Sequence, residues 1–215
     1  VGVYRIFNYG GTLTNNGLAI GTVPPGATAL FVQTSVAGQV NLVNATNVTL
    51  SFWDGAAGPK NNGVVNGGSG TWHVTGTDDN WTDQSGLINA PHSNGSFTVF
   101  QGQAGTVTVD NGLGQVLSAG MQFTANGYVI TGGPLLLVET LAGTGATIIR
   151  VGDGTAAGAG TTATIDAVLD GTTRLVKADL GTLVLGGNNT YTGGTTVQAG
   201  TLQISSDANL GDASG

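Results

Sequence analysis

Between Leu180 and Ile204 apolar and polar residues alternate in two short runs of one design, Gly181-Thr-Leu-Val-Leu185 and Gly200-Thr-Leu-Gln-Ile204. Alternation with a period of two marks a half-buried strand. Leu183 and Leu185 then face one side, as do Leu202 and Ile204, while Val184 and Gln203 face the other. Thr-plus-aliphatic starts recur at near-equal intervals, at Thr147, Thr164, Thr182 and Thr201. Earlier in the chain Gly105-Thr-Val-Thr-Val109 repeats the build of Gly181–Leu185, four such periods before it. A repeat of about 19 residues without helical periodicity predicts a parallel β-solenoid in which each period is one coil. Gly152-Asp-Gly154, Asp170-Gly171, Gly186-Gly-Asn-Asn189 and Gly193-Gly194 supply the corners. No proline follows Pro134, which suits strands whose N–H groups must all pair.

Regular short strands also suit an antiparallel sandwich or barrel. Two-residue Asn-Gly or Asp-Gly hairpins between long alternating strands are mostly missing, however, and the repeat extends to residue type. With coils stacked about 4.8 Å apart, residues 91–215 are expected to make roughly seven coils and a rod about 33 Å long. The first half reads differently. Residues 1–50 hold alternating strands (Leu30–Val36, Gln39–Val43, Asn47–Phe52) around a Pro24-Pro25-Gly26 loop, and are expected to form N-terminal coils. Residues 51–90 form a Trp- and Gly-rich module, a cap or a loop insertion, before the coils of 91–215.

Composition narrows the picture. The chain has 215 residues, 39 of them glycine, yet 40% are hydrophobic and mean hydropathy is positive. Disorder needs the opposite, low hydrophobicity with high charge, so the glycines indicate a folded chain with many tight corners. Net charge is −7 with five cations, Arg5, Lys60, Arg150, Arg174 and Lys177. They form no cluster to neutralise phosphates, which argues against nucleic acid, heparin-like glycans and anionic membrane surfaces as partners. The absence of cysteine fits a reducing compartment or an exported chain that avoids disulfides. The N-terminus lacks a basic start followed by an apolar run, so no signal peptide is read. The longest aliphatic run, Leu135–Val138, is far too short for a spanning helix. Strands are too short, and aromatic residues too few, for a transmembrane barrel. Starting and stopping within its pattern, the chain reads as an internal fragment.

The stretch Asn188-Asn-Thr-Tyr-Thr-Gly-Gly-Thr-Thr-Val-Gln-Ala-Gly-Thr-Leu-Gln-Ile204 closely resembles the passenger-associated repeat of bacterial autotransporters. Tyr4–Thr14 and the order Trp53-Asp-Gly, Gly67-Gly-Ser-Gly-Thr-Trp72, Asn80-Trp81 also resemble segments of large passengers. The resemblance implies a type V secretion passenger, exported unfolded and folded outside as a right-handed parallel β-helix. It further implies cell-surface display, with outer-membrane anchoring by a barrel that this sequence does not include. The implied role is a scaffold or adhesin that meets a host-surface glycan or protein, or another passenger. Alternatives are a polysaccharide-active β-helix enzyme and an inert mechanical spacer.

Candidate chemistry is sparse. Trp53, Trp72 and Trp81 stand near Asp54, Asp78, Asp79, Asp83, His73 and Asn80. Exposed indoles beside carboxylates and amides would form a glycan-stacking platform; alternatively the indoles fill a wide coil while Asp and Asn close turns. Asp78, Asp79 and Asp83 offer oxygen ligands without the spacing of a calcium loop. His73 and His92 without cysteine make a poor zinc set. Asp153, Asp166, Asp170 and Asp179 lie roughly one coil apart and would have to converge on one cleft for hydrolysis. No nucleophile elbow or phosphate loop occurs. The expectation is therefore non-enzymatic, with no catalytic residue, metal or cofactor.

Overall fold

The structure, a computed structural model, describes residues 1–76 and 79–212. The chain opens with three strands, β1 (Gly2–Asn8), β2 (Leu30–Gln33) and β3 (Gln39–Asn44), which form an antiparallel sheet in the order β1-β3-β2. Stacking then begins with β4 (Leu50–Trp53) and β5 (Gly70–Trp72), followed by a short antiparallel pair, β6 (Trp81–Thr82) and β7 (Asn89–Ala90). The next coil holds β8 (Phe97–Phe100), β9 (Thr106–Val109) and β10 (Leu117–Ser118); the third holds β11 (Gly120–Phe123), β12 (Tyr128–Gly132) and β13 (Leu135–Leu137). β14 (Ala146–Val151), β15 (Thr162–Ile165) and β16 (Leu169–Asp170) form the fourth, and β17 (Arg174–Ala178) and β18 (Thr182–Leu185) the fifth. The last pair is β19 (Thr195–Val197) and β20 (Thr201–Ile204).

Successive coils pair in parallel. One face runs β4-β8-β11-β14-β17-β19 and a second runs β5-β9-β12-β15-β18-β20, with β10-β13-β16 making a third. This is the arrangement of a β-solenoid, and among the described residues the sheets close into no barrel. No helix among them is long and apolar enough to cross a membrane.

Alternation appears where it was read. β18 buries Leu183 and Leu185 and leaves Thr182 and Val184 partly exposed, and Leu183 pairs with Leu202 as Leu185 does with Ile204. The even period does not hold. Met121 pairs with Ile149, and Ile130 with Ile165, two returns of unequal length that both exceed the repeat. The return matches it from Leu117 to Leu136 and again from Leu185 to Ile204. Thr147 and Thr164 lie in one coil on different faces, so that spacing measures an arc and not a turn of the rod. β9 and β18 are correspondingly three coils apart, not four. From residue 91 onward the described residues make five coils, not seven, because corner insertions such as the 3-10 turn Ala156–Gly160 lengthen individual turns.

The N-terminal region also departs from the expected coils. β1 and β3 pair antiparallel, and the sheet lies against the outside of the first solenoid face. Val3, Val36, Val43, Phe52, Phe97 and Val99 share a second apolar cluster there, which explains why all four residues of β8 are buried. Gln122 works as a strand edge at this junction. Its Oε1 accepts from Val3 N at 2.6 Å, and its Nε2 donates to Val3 O at 2.8 Å and Gly152 O at 2.9 Å. Arg150 donates to Val1 O at 2.8 Å and stacks 4.3 Å from the centre of the Tyr4 ring.

Candidate functional site

The tryptophan module is where sequence reasoning placed its best candidate. Trp53 ends β4, Trp72 ends β5 and Trp81 begins β6, so three strand ends deliver three indoles to one place. Their exposures are 0%, 0% and 3%. Trp81 meets Trp53 edge-on with centroids 5.0 Å apart and Trp72 at 4.9 Å. Phe100 continues the column and stacks on Phe123 at 4.8 Å with the planes 10° apart. Beyond these the core turns aliphatic, through Ile130, Ile165, Leu183 and Leu185. The open platform expected at Trp53, Trp72 and Trp81 is therefore corrected to an aromatic core. The first coil is widened by the β6–β7 insertion, and only large rings fill it at protein packing density.

His92 belongs to the same cluster, with ring centres 5.1 Å from Trp72 and 4.7 Å from Trp81. Burial pushes its pKa down to about 4, against an opposing effect from its contact with Leu117 O. It is a packed neutral imidazole. His73 instead meets the exposed Asp110 at 3.0 Å. The Asp110 carboxyl is held below its usual range, first by the Gly112 backbone N–H and then by His73. The two histidines thus serve separate places.

Asp179 reaches the Asp153 corner, where its Oδ2 accepts from Gly154 N at 3.1 Å. Asp153 pairs with Arg5 at 3.4 Å and accepts from Thr155 N and Oγ1. Asp179 pairs with Arg150 at 2.9 Å, while Asp170 accepts from Thr190 Oγ1 at 3.0 Å. Asp166 is exposed. These are corner and ion-pair roles, not a cleft with two free carboxylates. Asp83 likewise closes its own turn through Ser85 and Gly86. Asp78 lies outside the described residues. Among the described residues no cluster of His, Asp or Glu is arranged to hold a metal.

Sequence reasoning missed the basic residues. Lys177 shares the inward parity of Leu175, and its column runs through Ile149 into the core. It is fully buried, donating to Ala178 O at 3.0 Å, Asp179 O at 2.7 Å and Ala199 O at 3.0 Å, so it ties one corner to the next. The period-two pattern already placed it on the inward side. Arg5 and Arg150 bind the N-terminal sheet, Lys60 is half-buried, and Arg174 is the exposed cation of the five. The exterior is therefore acidic and almost without free positive charge.

A groove of about 540 Å³ runs along β2, an outer strand of the N-terminal sheet. Leu18, Ile20, Phe31, Gln33, Gly63 and Gln84 are among its lining residues. Leu18 and Phe31 are 51% and 40% exposed, and Ile6 and Phe7 on β1 are exposed as well. An outer strand bordered by apolar side chains is a contact surface.

Two comparisons bear on this molecule. Residues 175–204 match the passenger-associated-transport-repeat family, which coincides with β17 to β20. Over 213 residues the chain is 56% identical to the adhesin BmaC autotransporter of Brucella suis biovar 1 (strain 1330), covering 99% of this chain. The chain spans 6% of the length of that relative. No solved structure matches it. With stacked parallel coils, a transport repeat in the last of them and that relative along nearly its whole length, the chain is a segment of an autotransporter passenger, displayed at the bacterial surface.

Proposed function

We propose that this segment is a non-enzymatic adhesive scaffold, a stretch of β-helix that presents its exterior to another surface. The observation that carries the reading is the way the chemistry is used up inside. Indoles, histidine and basic residues serve packing and docking, and the carboxylates close corners, so what faces solvent is a low-charge, acidic surface of Thr, Asn and Gln with an apolar groove. The relative's designation as an adhesin agrees with this. A neutral host-surface glycan or a protein suits such an exterior; a polyanion does not. Anchoring in the outer membrane is assigned to other parts of the passenger's parent protein.

Beads coated with the segment should bind cultured epithelial cells more than beads with a coverage-matched control protein, and heparin should not compete. Equal binding by both would sink the adhesive reading. The outer strand β2 favours a second role, self-association between passengers. Sedimentation across a dilution series would then show a concentration-dependent rise in mass, whereas one sedimentation coefficient throughout would reject it. We also assign the coils a right-handed sense, since right-twisted strands favour right-handed crossovers. An experimental map showing left-handed coils would reverse that assignment.

A further inference from the structure

The connection between β4 and β5 covers Asp54 to Ser69, a long irregular stretch that buries few apolar side chains. It is held by a polar knot. Asp54, fully buried, accepts from Asn66 N at 2.7 Å through Oδ1 and from Asn89 Nδ2 at 2.8 Å through Oδ2. Lys60 reaches back into this knot, where its Nζ donates to Asp54 O, to Gly55 O at 3.0 Å and to the side-chain Oδ1 of Asn80 at 3.0 Å. The Asn80 carboxamide is itself fixed, its Nδ2 donating to Thr71 O at 3.0 Å. The site lies against the indole of Trp53, which packs on Gly55 and Gly70.

We propose that Lys60 and Asn80 form an intramolecular amide cross-link, a self-modification site in a chain that has no cysteine to form disulfides. Three features of the geometry support it. First, the amine and the carboxamide are held in contact by groups that do not depend on their charge. Second, Oδ1 of Asn80 accepts from Nζ at 3.0 Å, which polarises the carbonyl whose Cγ is attacked. Third, the negative charge of Asp54 and Asp79 lies near enough to act electrostatically on Lys60. Burial lowers the proton affinity of Lys60 and outweighs those two carboxylates, which favours the nucleophilic amine.

In the reaction Nζ of Lys60 attacks Cγ of Asn80, the Nζ–Cγ bond forms and the Cγ–Nδ2 bond breaks. The proton lost by Nζ passes to Nδ2, which departs as ammonia. No oxidant, reductant or cofactor enters the balance. The cross-link would clamp the β4–β5 connection to the start of β6, closing the first coil covalently.

The test is the intact mass of the purified, denatured 215-residue chain, followed by peptide mapping. The expected mass lies one ammonia below the sequence mass, with a branched peptide joining the regions around Lys60 and Asn80. Lys60→Arg and Asn80→Ala should each restore the full mass. A sample that melts cooperatively, and is therefore folded, yet shows the full sequence mass would overturn the proposal. So would an ammonia deficit that maps to a linear peptide, such as a succinimide at Asn62-Gly63.

Discussion

At the scale of single residues, this protein keeps its rare side chains indoors. Trp81 touches Trp53, Trp72, Phe100 and His92 at once. Trp81→Ala should therefore cost about 3–5 kcal/mol in denaturant unfolding, far more than an exposed binding residue would. His92 makes the acid limb of stability predictable. Its folded pKa, about 4, lies below the ordinary 6.5. The folded state thus resists protonation, and stability is full above pH 6.5 and falls as pH drops toward 4. The loss reaches about 3 kcal/mol. His92→Phe should flatten that part of the stability–pH curve, measured by urea unfolding at a series of pH values. An unchanged slope would place the acid sensitivity elsewhere. The presence of these residues was plain in the sequence, but not their orientation. An indole among glycines and carboxylates reads as a sugar platform or as core, because short-range composition does not say which way a strand end points.

Elements here are short arcs whose corners carry the conformational demand. Gly120 enters β11 at φ +127°, and a Cβ there would stand 2.4 Å from Ile148 O and 2.9 Å from the Phe97 ring. Gly120→Ala should destabilise by about 1–3 kcal/mol. Gly160 meets nothing within 4 Å, so Gly160→Ala should stay within about 0.5 kcal/mol of wild type. Thermal or chemical melts of the two variants would check the contrast, and equal melts would refute it. Strand identity was legible at this scale. Val107 and Val109, Leu183 and Leu185 face inward as their alternation indicates. Coil number was not, since Thr147 and Thr164 open arcs of the same coil. A recurring arc motif measures distance along the chain, whereas stacking depends on how long each corner runs before the chain returns.

Across the whole molecule, two cores share one sheet. The first solenoid face packs inward on the aromatic and aliphatic column and outward on the N-terminal sheet. Gln122 couples them through both polar atoms of its side chain. Gln122→Ala leaves the Val3 N–H and C=O without those partners, a loss of about 1–3 kcal/mol. Hydrogen exchange should quicken across Gly2–Asn8 while the C-terminal coils keep their protection. Uniform quickening would mean that the molecule opens as one unit instead. The acidic exterior is a property of the same scale. It follows from four of the five cations being drawn into internal contacts.

Strand class, the inward parity of residues such as Leu183, the transport repeat over the last coils and the argument against polyanionic partners were all readable before any fold was known. Each is a matter of local alternation, composition or motif, carried by residues close together in the chain. Folding in three dimensions had to be seen before residues 2–44 became an antiparallel sheet docked on the solenoid and the tryptophans became core. The meeting of Lys60 with Asn80 and the grip of Gln122 on Val3 belong to the same class. These depend on contacts spanning from 20 to 119 residues, set by the lengths of irregular corners, and corner length leaves no periodic trace in a sequence.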